Sequence, residues 1–121
     1  MTETEMKEYY YLPLEDCHLR ILECLDIRKV LKYYIQDNIN NSDAWDSKLM
    51  MLLTESYAIN RRYVEIMEDL VLTPPSISEK TGQEVITIDY VKYNMLLSYS
   101  KLMVINESEL KNDHRVTLYE H

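Results

Sequence analysis

The chain of 121 residues contains a single glycine, Gly82, and this scarcity restricts both its fold and its chemistry. Loops that cradle phosphate need several glycines, because their backbone must approach the phosphate closely and adopt positive φ angles. The dinucleotide-binding fingerprint, the P-loop and the nucleophile elbow are therefore absent. All-β sandwiches and barrels usually need many glycine and proline turns, and the chain has only three prolines. The composition favours helices.

The first apolar pattern predicts a long helix that follows Pro13 and runs from Leu14 to Asn40. Proline is favoured at the start of a helix, and no glycine or proline interrupts this stretch. The polar run over residues 38–43 predicts the turn that ends it, with Ser42 or Asp43 as the cap of the next helix. Apolar residues recur at steps of three and four, which is typical of one buried helix face: Leu14, Cys17, Ile21, Cys24, Leu25, Leu31 and Ile35.

The next stretch has the strongest helical pattern, because two apolar rows run side by side until Pro74 and Pro75 end the helix. A face this broad exceeds the narrow seam of a two-stranded coiled coil and predicts contacts with two neighbouring helices. One row contains Trp45, Leu49, Leu52, Ser56, Ile59, Tyr63, Ile66 and Leu70, and the other contains Met50, Leu53, Tyr57, Asn60, Val64, Met67 and Val71.

After the prolines, we expect an irregular connection; the β-branched run over residues 83–88 leaves a short extended segment open, although no partner strand is evident in the sequence. Asp89 is expected to cap a third helix from Tyr90 to Ile105, with Asn106 as its stop. These patterns together predict an all-α fold. It consists of a long antiparallel helical hairpin plus a third helix, in a three-helix or four-helix bundle-like arrangement.

The pattern divides the chain into three parts. Residues 1–12 are expected to form a polar N-terminal tail, residues 13–106 a single helical domain, and residues 107–121 a short helix or a frayed C-terminal tail. The sequence has no apolar run of about 20 residues that could cross a bilayer. Its first residues are acidic and do not resemble a secretion signal, so we expect a cytoplasmic protein that does not insert into membranes.

Few residues suggest catalysis or metal binding. Glu15 and His18 have helical Glu-x-x-His spacing, but di-iron bundles need a second such motif, and neither His114 nor His121 follows a glutamate at that spacing. Cys17 and Cys24 would lie about 10 Å apart along a helix, too far for a disulfide, so we expect buried thiols. We therefore predict no enzyme, cofactor or metal, while a small metal-binding helical protein stays open as an alternative.

Tyrosine and acidic residues are the candidates for contacts with a partner. Eleven tyrosines occur without any phenylalanine, and tyrosine is enriched at interfaces because it combines a large rigid ring with a polar tip. Alternatively, tyrosine takes the place of phenylalanine in the core. A cluster of carboxylates near the end of the second helix could dock a basic partner. The predicted partner-binding residues are Glu65, Glu68, Asp69, Tyr57, Tyr63, Tyr93 and Tyr99.

These observations lead us to expect a non-enzymatic helical protein–protein interaction module, a small regulatory or adaptor protein that self-associates as a homodimer. The net charge of −8 supports an alternative, an acidic inhibitor of the immunity, antitoxin or anti-defence type that neutralises a basic nucleic-acid-binding target. Direct DNA binding is not expected. Residues 75–96 have a faint helix-turn-helix rhythm, but their charged groups are mainly acidic, unlike those of a recognition helix.

Overall fold

The computed structural model of the chain describes residues 9–40 and 47–113. Helices dominate this part, which confirms the expectation of a mostly helical protein, but a small three-stranded antiparallel sheet accompanies them, so the all-α prediction is wrong. The elements in chain order are β1 (Tyr9–Pro13), α1 (Leu14–Asn40), α2 (Ser47–Val71), β2 (Ser76–Ile77), β3 (Glu84–Asp89) and α3 (Tyr90–Lys111).

Helix α2 is the central element, because it packs against both α1 and α3. Cys17 near the start of α1 shares one core cluster with Met67 near the end of α2. Leu31 in the second half of α1 shares the other cluster with Leu53 near the start of α2 and Leu110 near the end of α3. Helices α1 and α3 therefore both run antiparallel to α2, and its broad apolar face has the two neighbours that its two apolar rows predict.

The sheet has the strand order β1–β3–β2, and both pairings are antiparallel. Ile86 and Ile88 of β3 are almost completely buried in the same core cluster as the first half of α1 and the second half of α2. Leu12 lies opposite Ile86 in the register, and Tyr10 lies opposite Ile88. The sheet thus covers the end of the helical layer at which α1 and α3 begin.

Strand β1 corrects the prediction that residues 1–12 form a tail, because Tyr9–Pro13 pair with β3 instead. Tyrosine favours strands, but a strand forms only where a partner offers its backbone, and here that partner lies about 80 positions further along the chain. The connection expected to be irregular contains a true strand instead, because the extended segment left open over residues 83–88 is β3, at Glu84–Asp89, and pairs with β1. Residues 1–8 lie outside the described part of the chain.

Helix α3 begins as predicted but ends later. Asp89 caps it, with its carboxylate accepting a hydrogen bond from the backbone N–H of Lys92 over 2.8 Å. The predicted stop at Asn106 is wrong, because the helix continues to Lys111 and both Asn106 and Leu110 are buried. Packing of Leu110 against the core clearly outweighs the weak tendency of asparagine to end a helix.

Gly82 lies in the turn between β2 and β3 with a φ angle of +71°, which explains why this position carries the glycine. Its backbone N–H donates to the carbonyl of Ser78 over 2.8 Å. A Cβ atom here would meet nothing within 4 Å, so backbone conformation rather than space requires the glycine.

The predicted cap at Ser42 or Asp43 and the segment 114–121 lie outside the described residues. No described helix has the length and apolar character needed to span a bilayer.

Candidate functional site

A groove lies between α1 and α3, because both helices pack on α2 and their backbones stay further from each other, although Cys17 of α1 and Met103 of α3 share one core cluster. We call it the α1–α3 groove. Its end near the sheet widens into an upper depression of about 240 Å³, floored by Tyr63 and Met67 of α2. Leu12 of β1 closes the top, and Leu97 of α3 lines one side. A second, much smaller cavity of about 10 Å³, which has room for about one water molecule, lies further from the sheet between Ile27 of α1 and Met103 of α3, and we call it the lower furrow.

The α3 wall of the groove is apolar because α3 carries apolar side chains on nearly all its faces. Between residues 93 and 106, Lys101 is the only charged residue. Leu97 lines the upper depression and is 41% exposed, and Val104, two helical turns further along the same face, is also exposed. A helix that is apolar all round is typical of a buried position between other elements. This wall of the groove therefore has the character of a contact surface.

Arg20 lies at the centre of the groove, since it lines both the upper depression and the lower furrow. Its guanidinium lies 5.4 Å from the centre of the Tyr63 ring and 3.1 Å from the carboxylate of Glu23. Burial alone lowers the pKa of Arg20, but hydrogen bonding to Tyr63 and the nearby groups raise it by more, so its pKa lies above the ordinary value. The guanidinium stays charged and is already partnered within the chain.

Stacked tyrosines hold the upper depression together where β1 meets α3. The ring of Tyr10 stacks on that of Tyr93, which lines the depression, with centroids 4.2 Å apart and planes 21° from parallel. Tyr90 lies further along the same stack, at 6.3 Å from Tyr10. Because Leu12 follows Tyr10 in β1, this contact also sets the position of the top of the depression.

Acidic side chains lie at the two ends of the groove. Asp16 of α1 lines the upper depression, and Glu107 of α3 lines the lower furrow. Within residues 9–40 and 47–113, neither carboxylate forms an ion pair. Asp16 is exposed and Glu107 is half-buried. The carboxylate of Asp16 is therefore accessible to solvent, whereas that of Glu107 is partly covered.

The thiols near the groove are not activated. Cys17 and Cys24 are free and buried, as the sequence predicts. Burial raises the pKa of Cys17, and the neighbouring charge of Asp16 raises it further, while burial is also the main cause of the raised pKa of Cys24. Both thiols are therefore protonated at neutral pH, whereas a catalytic cysteine needs a lowered pKa.

The structure brings only two of the seven predicted partner-binding residues into the groove. Tyr63 forms its floor and Tyr93 part of its wall. Tyr99 is half-buried against the same core cluster as Cys17, and Tyr57 is half-buried against the cluster around Leu31, where both act as core side chains.

The predicted carboxylate cluster lies elsewhere, on the exposed face of α2. Glu65 accepts ion pairs from Arg61 at 3.8 Å and from Arg62 at 3.5 Å, so it is neutralised within its own helix. Glu68 and Asp69 are exposed on that face. The structure therefore separates the predicted acidic residues from the predicted tyrosines.

The Glu15–His18 pair lies in a separate open depression of about 470 Å³ between the start of α1 and the start of β3. Glu84 lines it as well, and all three side chains are exposed. In the part of the chain that the structure describes, no group of three or more histidine, cysteine or carboxylate side chains could hold a metal ion.

Arg20 is the groove residue that the sequence could have revealed. It comes three residues after Cys17 and four before Cys24, so it lies along the apolar face of α1. A charged residue at such a position needs a partner, and here the carboxylate of Glu23 and the ring of Tyr63 provide it. Leu12 offered no such signal, because its place depends on the pairing of β1.

In chemical terms, the groove suits the docking of apolar side chains. Its upper depression is smaller than the roughly 300–1,000 Å³ of typical small-molecule pockets. The depression is lined by apolar side chains, by the protonated thiol of Cys17 and by the guanidinium of Arg20, which is paired with Glu23. None of these groups is an activated nucleophile. No protein-family model, curated protein or solved structure matches this chain.

Proposed function

We propose that this chain is a non-enzymatic protein-interaction module that binds a helix of a partner protein in the α1–α3 groove. One observation carries the proposal: α1 and α3 both pack on α2, and the depression between them leaves Leu97 of α3 41% exposed beside the buried Tyr63 and Met67. In a four-helix bundle, a fourth helix occupies the equivalent position and closes the core. The exposed Leu97 lines the depression, and Val104 is exposed two helical turns further along α3.

The dimensions of the groove fit one helix. Its lining residues on α1 run from Asp16 to Leu31, which is about 22 Å at 1.5 Å per residue, the length of roughly 15 helical residues. Helix-in-groove recognition uses apolar anchors at positions i, i+3 or i+4 and i+7. The upper depression, between Tyr63 and Leu97, would take the largest anchor.

Selection of peptides tests the proposal. A display library of 18-residue helical peptides with random side chains on one face is selected against the full chain. We expect peptides with apolar anchors at helical spacing. Their affinity should fall about tenfold for Leu97→Gln, because the partner loses the burial of roughly one apolar side chain.

Ile105→Gln is the matched control, since Ile105 is similarly exposed on α3 but lies on another face from the groove. Its affinity for the selected peptides should match that of the unmodified chain. Failure to enrich any peptide, or equal effects of both substitutions, would reject the groove as a helix-binding site.

A further inference from the structure

We propose that two copies of this chain pair through the free edge of strand β1, antiparallel and about a two-fold axis, and so join their three-stranded sheets into one continuous sheet. The surface is separate from the α1–α3 groove, because Tyr9 and Tyr11, which form this edge, do not line the upper depression. The inference is therefore independent of the proposed function. It follows from the backbone groups that the sheet leaves unpaired.

The hydrogen bonds of the sheet show which way each backbone group points. In an antiparallel sheet, one residue directs its N–H and C=O toward one neighbouring strand, and the next residue directs them to the other side. Beside the turn between β2 and β3, the backbone N–H of Ser78 donates to the carbonyl of Gln83 over 2.8 Å. Gln83 therefore faces β2, and by alternation Val85 does too. Ile86 and Ile88 then direct their backbone groups toward β1.

The residues of β1 alternate in the same way. Tyr10 and Leu12 lie opposite these two isoleucines in the register, so their backbone groups bond β3. The backbone groups of Tyr9 and Tyr11 point away from the sheet, where no strand of the described chain lies, since the strand order is β1–β3–β2. Among residues 9–40 and 47–113, no hydrogen bond from another segment reaches them. The outer edge of β1 therefore exposes two donors and two acceptors.

The opposite edge of the sheet is protected against such pairing. Strand β2 has only two residues, and Pro74 and Pro75 precede it. Short edge strands and prolines prevent pairing with other chains, because proline has no N–H to donate. Strand β1 lacks this protection at Tyr9 and Tyr11, since it carries no charged residue and its one proline, Pro13, comes at its end. The sheet thus has one closed edge and one open edge.

A second copy of β1 matches the open edge. With the two-fold axis at Tyr10, Tyr9 of each copy lies opposite Tyr11 of the other copy, and each such pair exchanges two backbone hydrogen bonds. This register uses every donor and acceptor that the two tyrosines expose. Pro13 lies outside the register, so the N–H that it lacks is not needed. The pairing is closed, because the protected β2 edges leave no place for a third copy.

The exposed side chains favour the same register. Tyr9 and Tyr11 are 57% and 67% exposed and lie on one face of the strand, since residues two apart share a face. Aromatic pairs directly opposite each other stabilise antiparallel strands, and two Tyr9–Tyr11 pairs form across this interface. No like charges meet within the strands themselves, although each copy carries a net charge of −8. Salt screens the remaining repulsion, with a Debye length of about 8 Å at physiological ionic strength.

Amide hydrogen exchange of the full chain, followed by NMR, tests the pairing. It is measured between about 20 µM and about 1 mM, a range suited to a small interface. At the low concentration, the amides of Tyr10 and Leu12 should be protected, whereas those of Tyr9 and Tyr11 should exchange nearly freely. At the high concentration, the latter two should exchange at least tenfold more slowly, and sedimentation should show a dimer.

Two variants at one position separate backbone pairing from side-chain contact. Tyr11→Pro removes an outward N–H but no bond to β3, and edge strands tolerate proline at such a position, so we expect a folded monomer at every concentration. Tyr11→Ala is the matched control, since it removes the ring and keeps the N–H. Its dimer should persist with an affinity about fivefold lower. Unfolding at the low concentration checks that both variants fold, and the exchange of Tyr9 and Tyr11 in the unmodified chain decides the question if Tyr11→Pro does not.

Four results would overturn the inference. The first is a monomer at every concentration, and the second is a dimer that Tyr11→Pro leaves intact, because its interface would lie elsewhere. The third is full protection of the Tyr9 and Tyr11 amides in the monomer, since another segment of the same chain would then cover the edge. The fourth is assembly that continues beyond the dimer, which a closed two-fold pair does not allow.

Discussion

The side-chain N–H of Asn60 on α2 donates a hydrogen bond to the backbone carbonyl of Cys24 on α1 over 2.8 Å. The side-chain oxygen of Asn60 also accepts a hydrogen bond from Nε of Arg28 at 2.9 Å. Asn60 is only 1% exposed, so a polar side chain within an apolar row of α2 ties two helices together. Buried polar groups of this kind are satisfied only in one register of the two helices.

Asn60→Ala should therefore destabilise the chain by about 2 kcal/mol, because it removes two hydrogen bonds and leaves a small cavity. Urea unfolding followed by circular dichroism measures the change. Ser56→Ala, one turn earlier, is the control, since the Ser56 hydroxyl bonds only to Leu52 within its own helix. A control as destabilising as Asn60→Ala would show that the cross-helix bonds carry no special weight.

Asn106→Leu should stabilise the chain by about 1 kcal/mol, since it removes a polar group that burial leaves without compensation. The side-chain N–H₂ of Asn106 is buried and has no hydrogen-bond partner in the described part of the chain. Thermal and urea unfolding of the variant test this expectation. A loss of stability would mean that Asn106 has a partner that offsets its burial.

Tyr10→Ala should destabilise the chain by about 1.5 kcal/mol, because it removes the stack on Tyr93 and the apolar area that the stack buries. Tyr11→Ala is the matched control in the same strand, since Tyr11 is 67% exposed and makes no ring contact among the described residues. The control should shift unfolding by less than about 0.5 kcal/mol, as usual for surface positions. Equal losses for both variants would contradict a special role of the stack.

Stability should fall as the pH rises above about 9. Burial raises the pKa of the Cys24 thiol, as well as those of Cys17 and Tyr63, relative to ordinary values of 9.0 for a thiol and 10.0 for tyrosine. The unfolded chain therefore loses these protons first, and ionisation stabilises the unfolded state while the native state stays protonated. Their contribution is fully present below the unfolded pKa and is lost as the pH rises through the native pKa.

Urea unfolding between pH 7.5 and pH 10.5 measures this dependence. The double variant Cys17→Ala with Cys24→Ala should lose stability less steeply with pH than the unmodified chain, although its stability at pH 7.5 is lower because of the cavities. An unchanged slope would exclude the two thiols as its source.

The helices were largely predictable from the sequence, whereas the sheet and the groove were not. Periodicity located α1 and α2, and the breadth of the α2 face predicted its two neighbours, because side-chain spacing alone determines which residues share a helix face. Strand β1 depends on backbone pairing with β3, which no local pattern encodes. The predicted end of α3 was wrong because burying Leu110 in the core stabilises the longer helix by more than burying Asn106 costs.

The residues of the candidate site were likewise predicted only in part. Tyr63 and Tyr93 were predicted to contact a partner, and both line the groove. Glu65 was predicted with them, but it lies on the other side of α2, since helical spacing places it two residues away from the groove floor at Tyr63. The groove itself depends on how the three helices cross. That arrangement is a property of the whole core, so no local sequence pattern predicts which faces of α1 and α3 stay apart.

The pairing of Tyr9 with Asp89 closes a loop of about 80 residues and gives β1 a folding behaviour of its own. Such closure is costly in chain entropy, so this strand is expected to dock after the helices have assembled. Because β1 is an edge strand of five residues, its local opening should cost less than unfolding a helix, and its release would take Leu12 and Pro13 out of the upper depression. We therefore expect subglobal opening of β1 to widen one end of the groove while the three helices stay folded.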